Sequence, residues 1–551
     1  MRDVGESRQN RDFDPHSERW FYPRARTMTP LSTSVRQPIH FVIDLDLLNF
    51  VETLPLSIEE LVEISAHDRT SQDSRQSSPS STCLRQMMAA SAVNCLHVAR
   101  ELLTAPLMLD VCHDGGGSSG ERLQALYICH DGLLEPRGTS QAVPHVCSLA
   151  DAGVRMMVLS FEGSTRQPDS GKAKELRARL ESHGIEWIAL RHHRGLRVAA
   201  VMLDLLSGIA AAFRLARTKR PRVVHGRGYV AGIMAWTVKL LFRSRLVFDM
   251  RGFWPEESVE LGQFRTHGLL YRLSKGSERY LLNAADHVVV LTESAKAILR
   301  DREASARMAT RRAVPETPIT VIPCCTDLER FHPQRPDRNL LREHDLEGCV
   351  VIGNIGAVNK RYMLSEMFRL AFHVKSHRPE TRFVYLTRHD DTSVRAEARR
   401  AGLRNEDLLV FGVEPEEVPR WLSLFRFGVF FLRPSYAAKG SSYAKLAEFL
   451  ACGVPVVTNK GVGDIDDILG SNQCGLVVPG LRDSDLATAA RQTLAFLDGD
   501  GVPQDVRDRC RATAARLFAI DEAARQYLAI YTGLAFPEQA NTQTSVAVEL
   551  D

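Results

Sequence analysis

The sequence lacks the charge excess and the cysteine pattern that mark several specialised classes of protein. Its 551 residues carry a formal net charge of only +3, which is too small to indicate a nucleic-acid partner. None of its 11 cysteines forms a Cys-x-x-Cys pair, and several lie in apolar, strand-like stretches. We therefore expect reduced, buried thiols in a cytosolic protein, and no zinc site.

The sequence also lacks a long uninterrupted apolar run. A membrane-spanning helix needs about 20 predominantly apolar residues, and the best candidate, Gly195–Arg217, is interrupted by Arg197, Asp204 and Arg214. This pattern predicts an amphipathic helix. The charged N-terminus has no apolar core of the kind found in secretory signals, so we expect a cytoplasmic protein.

The first 120 residues do not have the pattern of one compact domain. They contain a polar, serine-rich run, SAHDRTSQDSRQSSPSSTC, and the glycine-rich stretch GGGSSGER follows. Both compositions are typical of disordered or linker segments. We predict that residues 1–120 form a mostly disordered or poorly structured extension, and that ordered structure begins at Leu123.

Short apolar runs alternate with helical patterns twice along the remaining chain, first over residues 121–335 and again over 345–505. Within the first half, the run PRVVHGRGY predicts a strand that ends at His225. Such repeated alternation predicts the α/β class, with two Rossmann-like domains built on doubly wound parallel sheets. Residues 506–535 have a helical pattern, and residues 536–551 are expected to form a flexible tail.

The segment KGSSYAKLAEFLACGVPVVTNKGVGDI combines a Gly/Ser turn, a helical pattern and an apolar strand. If the helix starts near Ser441 and ends at Cys452, the hydroxyl groups of Ser441 and Ser442 cap its first backbone amides. A helix N-terminus is also an anion site, and Gly440 lets the backbone approach a phosphate closely. The segment is therefore a candidate phosphate-binding site.

Lys445 and Glu448 lie three residues apart in this helical pattern and therefore share a face. Two interpretations are open. In one, the pair is an ordinary salt bridge on a solvated surface. In the other, the ammonium group meets a diphosphate while the carboxylate accepts hydrogen bonds from a ribose diol.

Further candidates follow predicted strands, which is where open α/β sheets bind their ligands. In the loop HDGLLEPRGTS, Gly132 and Gly138 allow close approach of a phosphate or sugar, although a plain strand–helix turn explains them equally well. His225 and Arg227 lie at the end of another predicted strand. A lone histidine there is either structural or part of a site.

Two more predicted strands end in charged or glycine-containing turns. Asp249 and Arg251 either pair with each other across their turn or contact a bound molecule. In the stretch CVVIGNIGAVNKRY, the strand runs into a glycine turn at Gly356. Lys360 or Arg361 then supplies positive charge, unless both are ordinary exposed residues at the start of a helix.

Several of these stretches occur in an order that resembles a known family. The stretches LYICHDGLLEPRGTSQAVPHVCSLADAGVRMMVLSFE, VVHGRGY, FDMRGFWPEE, ADHVVVLTESA, VIPCCTDLERF and KLAEFLACGVPVVTNKGVGD together are similar to the family 4 glycosyltransferases. The resemblance covers roughly Leu123 to Tyr531. It implies the GT-B fold, in which an N-terminal acceptor domain and a C-terminal donor domain face each other across a cleft. It also implies that residues 506–535 pack back on the first domain.

The resemblance assigns roles within the second domain. Glu448 matches the glutamate that binds the donor ribose, and Ser441, Ser442 and Lys445 match the loop and helix start that hold the diphosphate. The first glutamate of the family's E-x7-E pattern would fall at Gly440, so this chain lacks it. A subgroup with a Lys-x-x-Glu core shares that feature.

By the same resemblance, the other candidates fall into three groups. His225 would lie close to the donor sugar and would form the catalytic set with Lys445 and Glu448. Arg227 and Arg251 would bind the acceptor. The remaining donor-binding candidates are Gly132, Gly138, Gly356, Lys360, Arg361, Val413 and Gly440.

The implied reaction is retaining transfer of a hexosyl unit from a nucleotide-diphosphate sugar to a saccharide or lipid-linked saccharide, as in exopolysaccharide or capsule assembly. No Asp-x-Asp pair stands at the end of a predicted strand, so we expect neither a metal nor a cofactor. Two alternatives stay open: a non-catalytic nucleotide-sugar-binding module and a nucleotide-sugar epimerase. Basic residues over 191–197 and 214–222, together with Arg243 and Arg245, either touch anionic lipids at the cytoplasmic membrane face or are solvated helix faces.

Overall fold

In a computed structural model, the chain is described over residues 123–163, 171–193, 197–310, 316–388, 390–497 and 501–537. The extension predicted for residues 1–120 lies outside the described residues. So does almost all of the tail predicted for residues 536–551.

The first domain is built on seven parallel strands in the spatial order β3-β2-β1-β4-β5-β6-β7. Alternate residues of β1 enter two different cores, Tyr127 one and Ile128 the other, because successive side chains of a strand point to opposite faces. Both faces of the sheet are therefore covered by helices. The strands are β1 (Gln124–Cys129), β2 (Arg155–Glu162), β3 (Glu186–Arg191), β4 (Val223–Arg227), β5 (Arg245–Asp249), β6 (His287–Val290) and β7 (Ile319–Val321).

Helices follow the strands of this first sheet in chain order. A short π-helical turn at Gly138–Ala142 leads directly into the first of them. The helices are α1 (Val143–Asp151), α2 (Gly171–Ser182), α3 (Arg197–Lys219), α4 (Tyr229–Phe242), α5 (Trp254–Glu260), α6 (Leu269–Ala284) and α7 (Glu293–Thr310).

The second domain is built on six parallel strands in the order β10-β9-β8-β11-β12-β13. Its strands are short apolar runs, as expected for a sheet that is buried on both faces. They are β8 (Val350–Ile355), β9 (Thr381–Leu386), β10 (Leu408–Phe411), β11 (Phe427–Val429), β12 (Val456–Asn459) and β13 (Gly475–Val478). The helices are α8 (Arg338–Glu343), α9 (Leu364–His377), α10 (Thr392–Arg400), α11 (Val418–Leu422), α12 (Tyr436–Lys439), α13 (Ala444–Ala451), α14 (Ile465–Asn472) and α15 (Asp483–Leu494).

The C-terminal stretch forms two helices, α16 (Gln504–Leu517) and α17 (Ile520–Ala535). Between them, the carbonyl of Phe518 accepts a 2.8 Å hydrogen bond from the backbone N–H of Thr326. The first helix contributes Cys510 to a core of the second domain, whereas the second contributes Tyr531 to a core of the first. The chain therefore passes from one domain to the other at this break, and the prediction that all of residues 506–535 pack on the first domain is wrong for α16 and holds for α17.

The predicted α/β architecture of two parallel-sheet, Rossmann-like domains is confirmed. One predicted boundary is wrong: β4 does not end at His225 but continues to Arg227, since residues 223–227 all pair with β5. The apolar stretch around Asp204 forms α3, and none of the described helices is long and apolar enough to cross a membrane.

Both sheets have a point at which the strand order reverses, between β1 and β4 in the first and between β8 and β11 in the second. Open α/β sheets bind ligands beyond the carboxyl ends of strands at such switch points. Cys129 and Arg227 lie side by side at the first switch point. At the second, β8 ends at Ile355, directly before Gly356.

Candidate active site

Lys445 lies at the switch point of the second sheet and is buried in α13. Its Nζ donates a 3.0 Å hydrogen bond to Oδ1 of Asn354 at the end of β8, and it lies 4.2 Å from the ring centroid of Tyr362 and 5.5 Å from that of Phe430. It forms no ion pair with any described residue. Burial lowers the pKa of Lys445 to about 7, because a desolvated ammonium group is held mainly by neutral partners.

Glu448 stands one turn further along α13 and is partly exposed. In the described part of the chain, its carboxylate makes no hydrogen bond and no ion pair, including with Lys445. Burial of the carboxyl group raises the pKa of Glu448, and the positive charges of Arg330 and Lys445 offset part of this rise. Lys445 and Glu448 lie on one face of α13, as predicted. Among the described residues, however, they form no direct salt bridge with each other.

The predicted helix start at Ser441 is wrong. Helix α13 begins at Ala444 and its N-cap residue is Tyr443, which makes no side-chain capping bond. The hydroxyl of Ser441 instead accepts a 2.9 Å hydrogen bond from Arg361, and the hydroxyl of Ser442 accepts a 3.1 Å bond from the backbone N–H of Cys324. The two serines therefore lie in the loop before the helix and contact other segments.

Gly440 lies at a point of close contact between the two domains. A Cβ at this position would lie 2.8 Å from Cδ2 of Phe253, which is shorter than real Cβ contacts, so a larger residue would require Phe253 to move. The ring of Phe253 also packs on Tyr436, with their centroids 4.9 Å apart. The aromatic ring of the first domain therefore occupies the space that a glutamate at this position would need.

The other donor-site candidates of the second domain lie around the same edge. Arg361 is held by the protein, since it donates hydrogen bonds to Glu257 of the first domain at 2.6 Å and to Tyr443 at 3.0 Å. Lys360 and Gly356 are exposed, and a Cβ at Gly356 would lie 3.6 Å from Nζ of Lys445. Further along the edge, the carbonyl of Val413 accepts a 3.0 Å hydrogen bond from Arg388.

In the first domain, the glycine loop is folded onto a buried carboxylate. Glu162 accepts hydrogen bonds from the backbone N–H groups of Leu133 and Leu134, at 2.8 Å and 3.2 Å. A Cβ at Gly132 would lie 2.8 Å from Glu162, and one at Gly138 would lie 2.1 Å from the carbonyl oxygen of Gly132. Packing within the loop therefore requires both glycines, and contact with a phosphate stays a prediction.

His225 is buried within β4, with 1% of its surface exposed. The hydroxyl of Tyr531 lies 2.8 Å from Nδ1 of His225, and Oδ2 of Asp249 lies 3.6 Å from its Nε2. Its ring also packs against Tyr127 and Tyr527. Burial lowers the pKa of His225, which favours a neutral imidazole.

Asp249 gathers the charged groups at the first switch point. Its Oδ2 lies 3.5 Å from Arg227 and 3.7 Å from Arg251, and it accepts a 3.3 Å hydrogen bond from the hydroxyl of Tyr527. Burial would raise the pKa of Asp249, but Arg251, His225 and Arg227 hold it below the usual range. The salt-bridge interpretation of Asp249 and Arg251 is therefore met, and binding of an acceptor by the arginines stays a prediction.

The two domains are joined by a helix cap that crosses between them. Asp464, which directly precedes α14 of the second domain, accepts hydrogen bonds from the backbone N–H groups of Glu293 and Ser294, at 2.6 Å and 3.0 Å. These are first-turn amides of α7 in the first domain. Thr292 also donates a 2.7 Å hydrogen bond to the carbonyl of Lys439.

Several residues of the site were not predicted from the sequence. Asp464 directly precedes α14, so the sequence would predict that it caps that helix. In the structure its carboxylate instead caps α7 of the other domain. Tyr362 and Phe430 surround the ammonium of Lys445 but belong to ordinary apolar stretches. Tyr531 lies 306 positions from His225, and no local pattern connects them.

Together, the residues at the second switch point can bind a ligand that carries both an anionic group and hydroxyl groups. The ammonium of Lys445 can neutralise an anion, and the open carboxylate of Glu448 can accept hydrogen bonds from hydroxyl groups. Arg227 and Arg251, at the first switch point, lie on the facing domain. This arrangement suits a molecule that carries a charged group and a diol.

Comparison with known protein families matches both domains. Residues 139–325 match the family described as glycosyl transferase 4-like domain, and residues 348–495 match the family described as glycosyl transferases group 1. No curated protein sequence matches this chain significantly.

Solved structures share the fold at low sequence identity. Sucrose-phosphate synthase from Thermosynechococcus elongatus is 18% identical, with a TM-score of 0.56 over 75% of this chain and 99% of its own. A glycosyltransferase from Rickettsia africae is 13% identical, with a TM-score of 0.54 over 76% and 99%. HepE from Anabaena, solved in complex with UDP, is 13% identical, with a TM-score of 0.52 over 75% and 100%.

We predict that Asp464→Ala loosens the contact between the domains. Loss of a helix cap costs about 1 kcal/mol of unfolding free energy, and here the lost bonds also join two domains. We expect a lower urea midpoint and a larger radius of gyration by small-angle X-ray scattering.

The matched control is Asp337→Ala, which removes contacts within the second domain only, since Asp337 caps α8 by accepting from the N–H groups of Asn339 and Leu340 and also pairs with Arg420 of α11. This variant should lose similar stability and keep its radius of gyration. Equal radii for the two variants would show that Asp464 does not hold the domains together.

Proposed function

Since this chain carries a glycosyl transferase 4-like domain followed by a glycosyl transferases group 1 domain in the GT-B fold, we propose that it moves a hexosyl unit from a nucleotide-diphosphate sugar to a saccharide or lipid-linked saccharide, with retention of anomeric configuration. One observation carries the proposal. The buried ammonium of Lys445 makes no direct ion pair with a described residue and donates its hydrogen bond to the neutral Asn354, and the partly exposed carboxylate of Glu448 stands one turn away.

The charge on Lys445 fits the leaving group of the proposed reaction. Cleavage of the bond between sugar and diphosphate leaves negative charge on the diphosphate, and a fixed cation stabilises that charge without reorganising. A single preorganised donor of this kind contributes about 3 kcal/mol to the barrier. Because Lys445 supplies the counter-charge, the proposed transfer step uses no metal ion and no cofactor.

UDP is the nucleotide that we choose as a probe of the donor site. The neighbour HepE was solved in complex with UDP, and the carboxylate of Glu448 offers acceptors to both hydroxyl groups of a ribose. We propose that the diphosphate lies toward Lys445 and Gly356, and that the base lies toward Val413. Lys360, which is exposed and forms no ion pair with a described residue, adds positive charge at the rim.

The acceptor is proposed to enter from the first domain. Arg227 and Arg251 stand at the carboxyl ends of neighbouring strands, where their charge suits an anionic or hydroxyl-rich saccharide. For a lipid-linked acceptor, we propose peripheral membrane contact through Leu240 and Leu241, which are 42% and 53% exposed, beside the exposed Arg243. Apolar side chains next to a cation are typical of interfacial contact.

We predict that Glu448→Ala abolishes the preference for ribose over deoxyribose. Hydrogen bonds to a charged group contribute about 1.5–3 kcal/mol, so UDP should bind the unchanged protein about 10–100 times more tightly than 2′-deoxy-UDP. The variant should bind both with equal affinity by isothermal titration calorimetry. Glu347→Ala, at an exposed carboxylate paired with Arg342, should keep the preference; an unchanged preference in Glu448→Ala would refute the placement of the ribose.

We predict that the full chain releases UDP from a UDP-hexose and adds the hexose to an acceptor with its anomeric configuration retained. A panel of radiolabelled UDP-sugars and saccharide acceptors, read by product chromatography and NMR, measures this directly. Lys445→Met should lower turnover about 100-fold, consistent with about 3 kcal/mol, while Lys174→Met, at an exposed lysine of α2 with no assigned role, should keep most of it.

Two other outcomes would overturn the proposed reaction. Tight UDP-sugar binding without turnover would identify a non-catalytic module, an outcome that the absence of a glutamate at Gly440 makes worth testing. Conversion of the sugar within the nucleotide sugar, without acceptor, would identify an epimerase.

A further inference from the structure

We propose that His130, His192 and Asp204 form a binding site for a divalent transition-metal ion, with Zn²⁺ as the ion to test. His130 follows β1, His192 follows β3, and Asp204 lies in α3. Their ligand atoms all lie within 4.8 Å of one another. The site lies in the first domain, apart from Lys445 and Glu448, and the inference does not depend on the proposed function.

Asp204 is the centre of this cluster. It is the single acidic residue of α3 and is fully buried. A buried carboxylate is costly unless cations or hydrogen-bond donors compensate it. The sequence nevertheless places one in the middle of an apolar helix, opposite three histidines that come from two separate loops. Since an apolar residue would pack in this helix at lower cost, the placement favours a binding role for the carboxylate.

The two oxygens of Asp204 have different surroundings. Oδ1 accepts a 2.9 Å hydrogen bond from the backbone N–H of His193 and lies 2.7 Å from Nδ1 of the same residue. Oδ2 lies 3.1 Å from Nε2 of His130 and 2.7 Å from Nδ1 of His192. One oxygen is therefore anchored by His193, while the other faces the two remaining imidazoles.

The orientation of His192 is the second observation that points to a ligand. Its Nδ1 is buried and has no hydrogen-bond partner of acceptable geometry among the described residues, although it lies 2.7 Å from Oδ2 of Asp204. The rings of His130 and His192 are inclined at 69° with centroids 5.1 Å apart. The rings therefore do not stack, and one nitrogen of each lies close enough to Oδ2 of Asp204 for all three atoms to bind a single ion.

The donor set selects the class of ion. Two imidazole nitrogens and one carboxylate oxygen suit a borderline divalent cation such as Zn²⁺, and three protein ligands leave a coordination position open. His193 would hold Oδ1 of Asp204 by hydrogen bonds and so orient Oδ2 toward the ion, since residues that do not touch a metal commonly orient its ligands in this way. The side chains of His130 and His192 are 21% and 38% exposed, so an ion can reach them from solvent.

The test is Zn²⁺ binding to the full chain after treatment with a chelator, measured by isothermal titration calorimetry. We expect one site that weakens at least about 100-fold in His130→Gln, His192→Gln and Asp204→Asn. His193→Gln should weaken it about 10-fold, as losses of outer-shell partners do. Co²⁺ bound in place of Zn²⁺ should show visible absorption without the intense near-ultraviolet band of a thiolate ligand.

The matched control is His183→Gln, because His183 pairs with Asp151 in the same domain, with 2.6 Å between Nδ1 and Oδ1, but offers no third ligand. Its Zn²⁺ affinity should equal that of the unchanged protein. Since His130 and His192 are partly exposed, their variants test the site even if Asp204→Asn fails to fold. Equal Zn²⁺ affinity in these two variants, or no binding at micromolar Zn²⁺, would refute the proposed metal site.

Discussion

The burial of one ammonium group constrains the second domain. Nζ of Lys445 lies in a pocket formed by the amide oxygen of Asn354 and the rings of Tyr362 and Phe430. Cation–π contacts and one neutral hydrogen bond stabilise a charge only in part. The protein therefore keeps a cation where its own residues do not fully compensate it, which is an arrangement that favours an anionic ligand.

The surroundings of this pocket are determined by contact between the domains. Phe253 packs against Gly440, Arg361 reaches Glu257, and Asp464 caps a helix of the facing domain. The same segments that hold the domains together therefore form the walls of the candidate donor site.

The sequence predicted the fold well because the deciding signals were local. Strands of parallel sheets are buried on both faces and read as short apolar runs, so stretches such as those around Ile128 and Val457 were recognisable without any tertiary information. The start of α13 was misplaced because Ser441 and Ser442 are good caps by type, whereas in the structure they bond to Arg361 and Cys324.

Contacts between distant segments were beyond the reach of sequence reasoning. In the sequence, Asp204 is only a charge that interrupts an apolar run, because no local pattern links it to His130, 74 positions away. The absence of a Cys-x-x-Cys pair predicts no zinc site, but cysteine spacing carries no information about histidines that the sheet brings together. Likewise, the burial of His225 follows from Tyr527 and Tyr531 at the far end of the chain.

If the buried ammonium of Lys445 receives the diphosphate, binding of the nucleotide is accompanied by uptake of a proton at this group. Because the pKa of Lys445 is lowered to about 7 by burial, the group is mostly neutral at pH 8 in the free protein. A bound diphosphate would raise that pKa, so protons are taken up and affinity falls as the pH rises above 7. Hydrogen bonds from ribose would favour the charged form of Glu448 and release a proton, which would partly cancel the uptake at Lys445. The variant Glu448→Gln removes this release, so only the proton uptake of Lys445 is measured.

The measurement is calorimetry of UDP binding at pH 8 in two buffers of different ionisation enthalpy. Glu448→Gln should take up nearly one proton on binding UDP, and the double variant that also carries Lys445→Met should take up none. Equal proton uptake by the two variants would show that Lys445 does not receive the diphosphate.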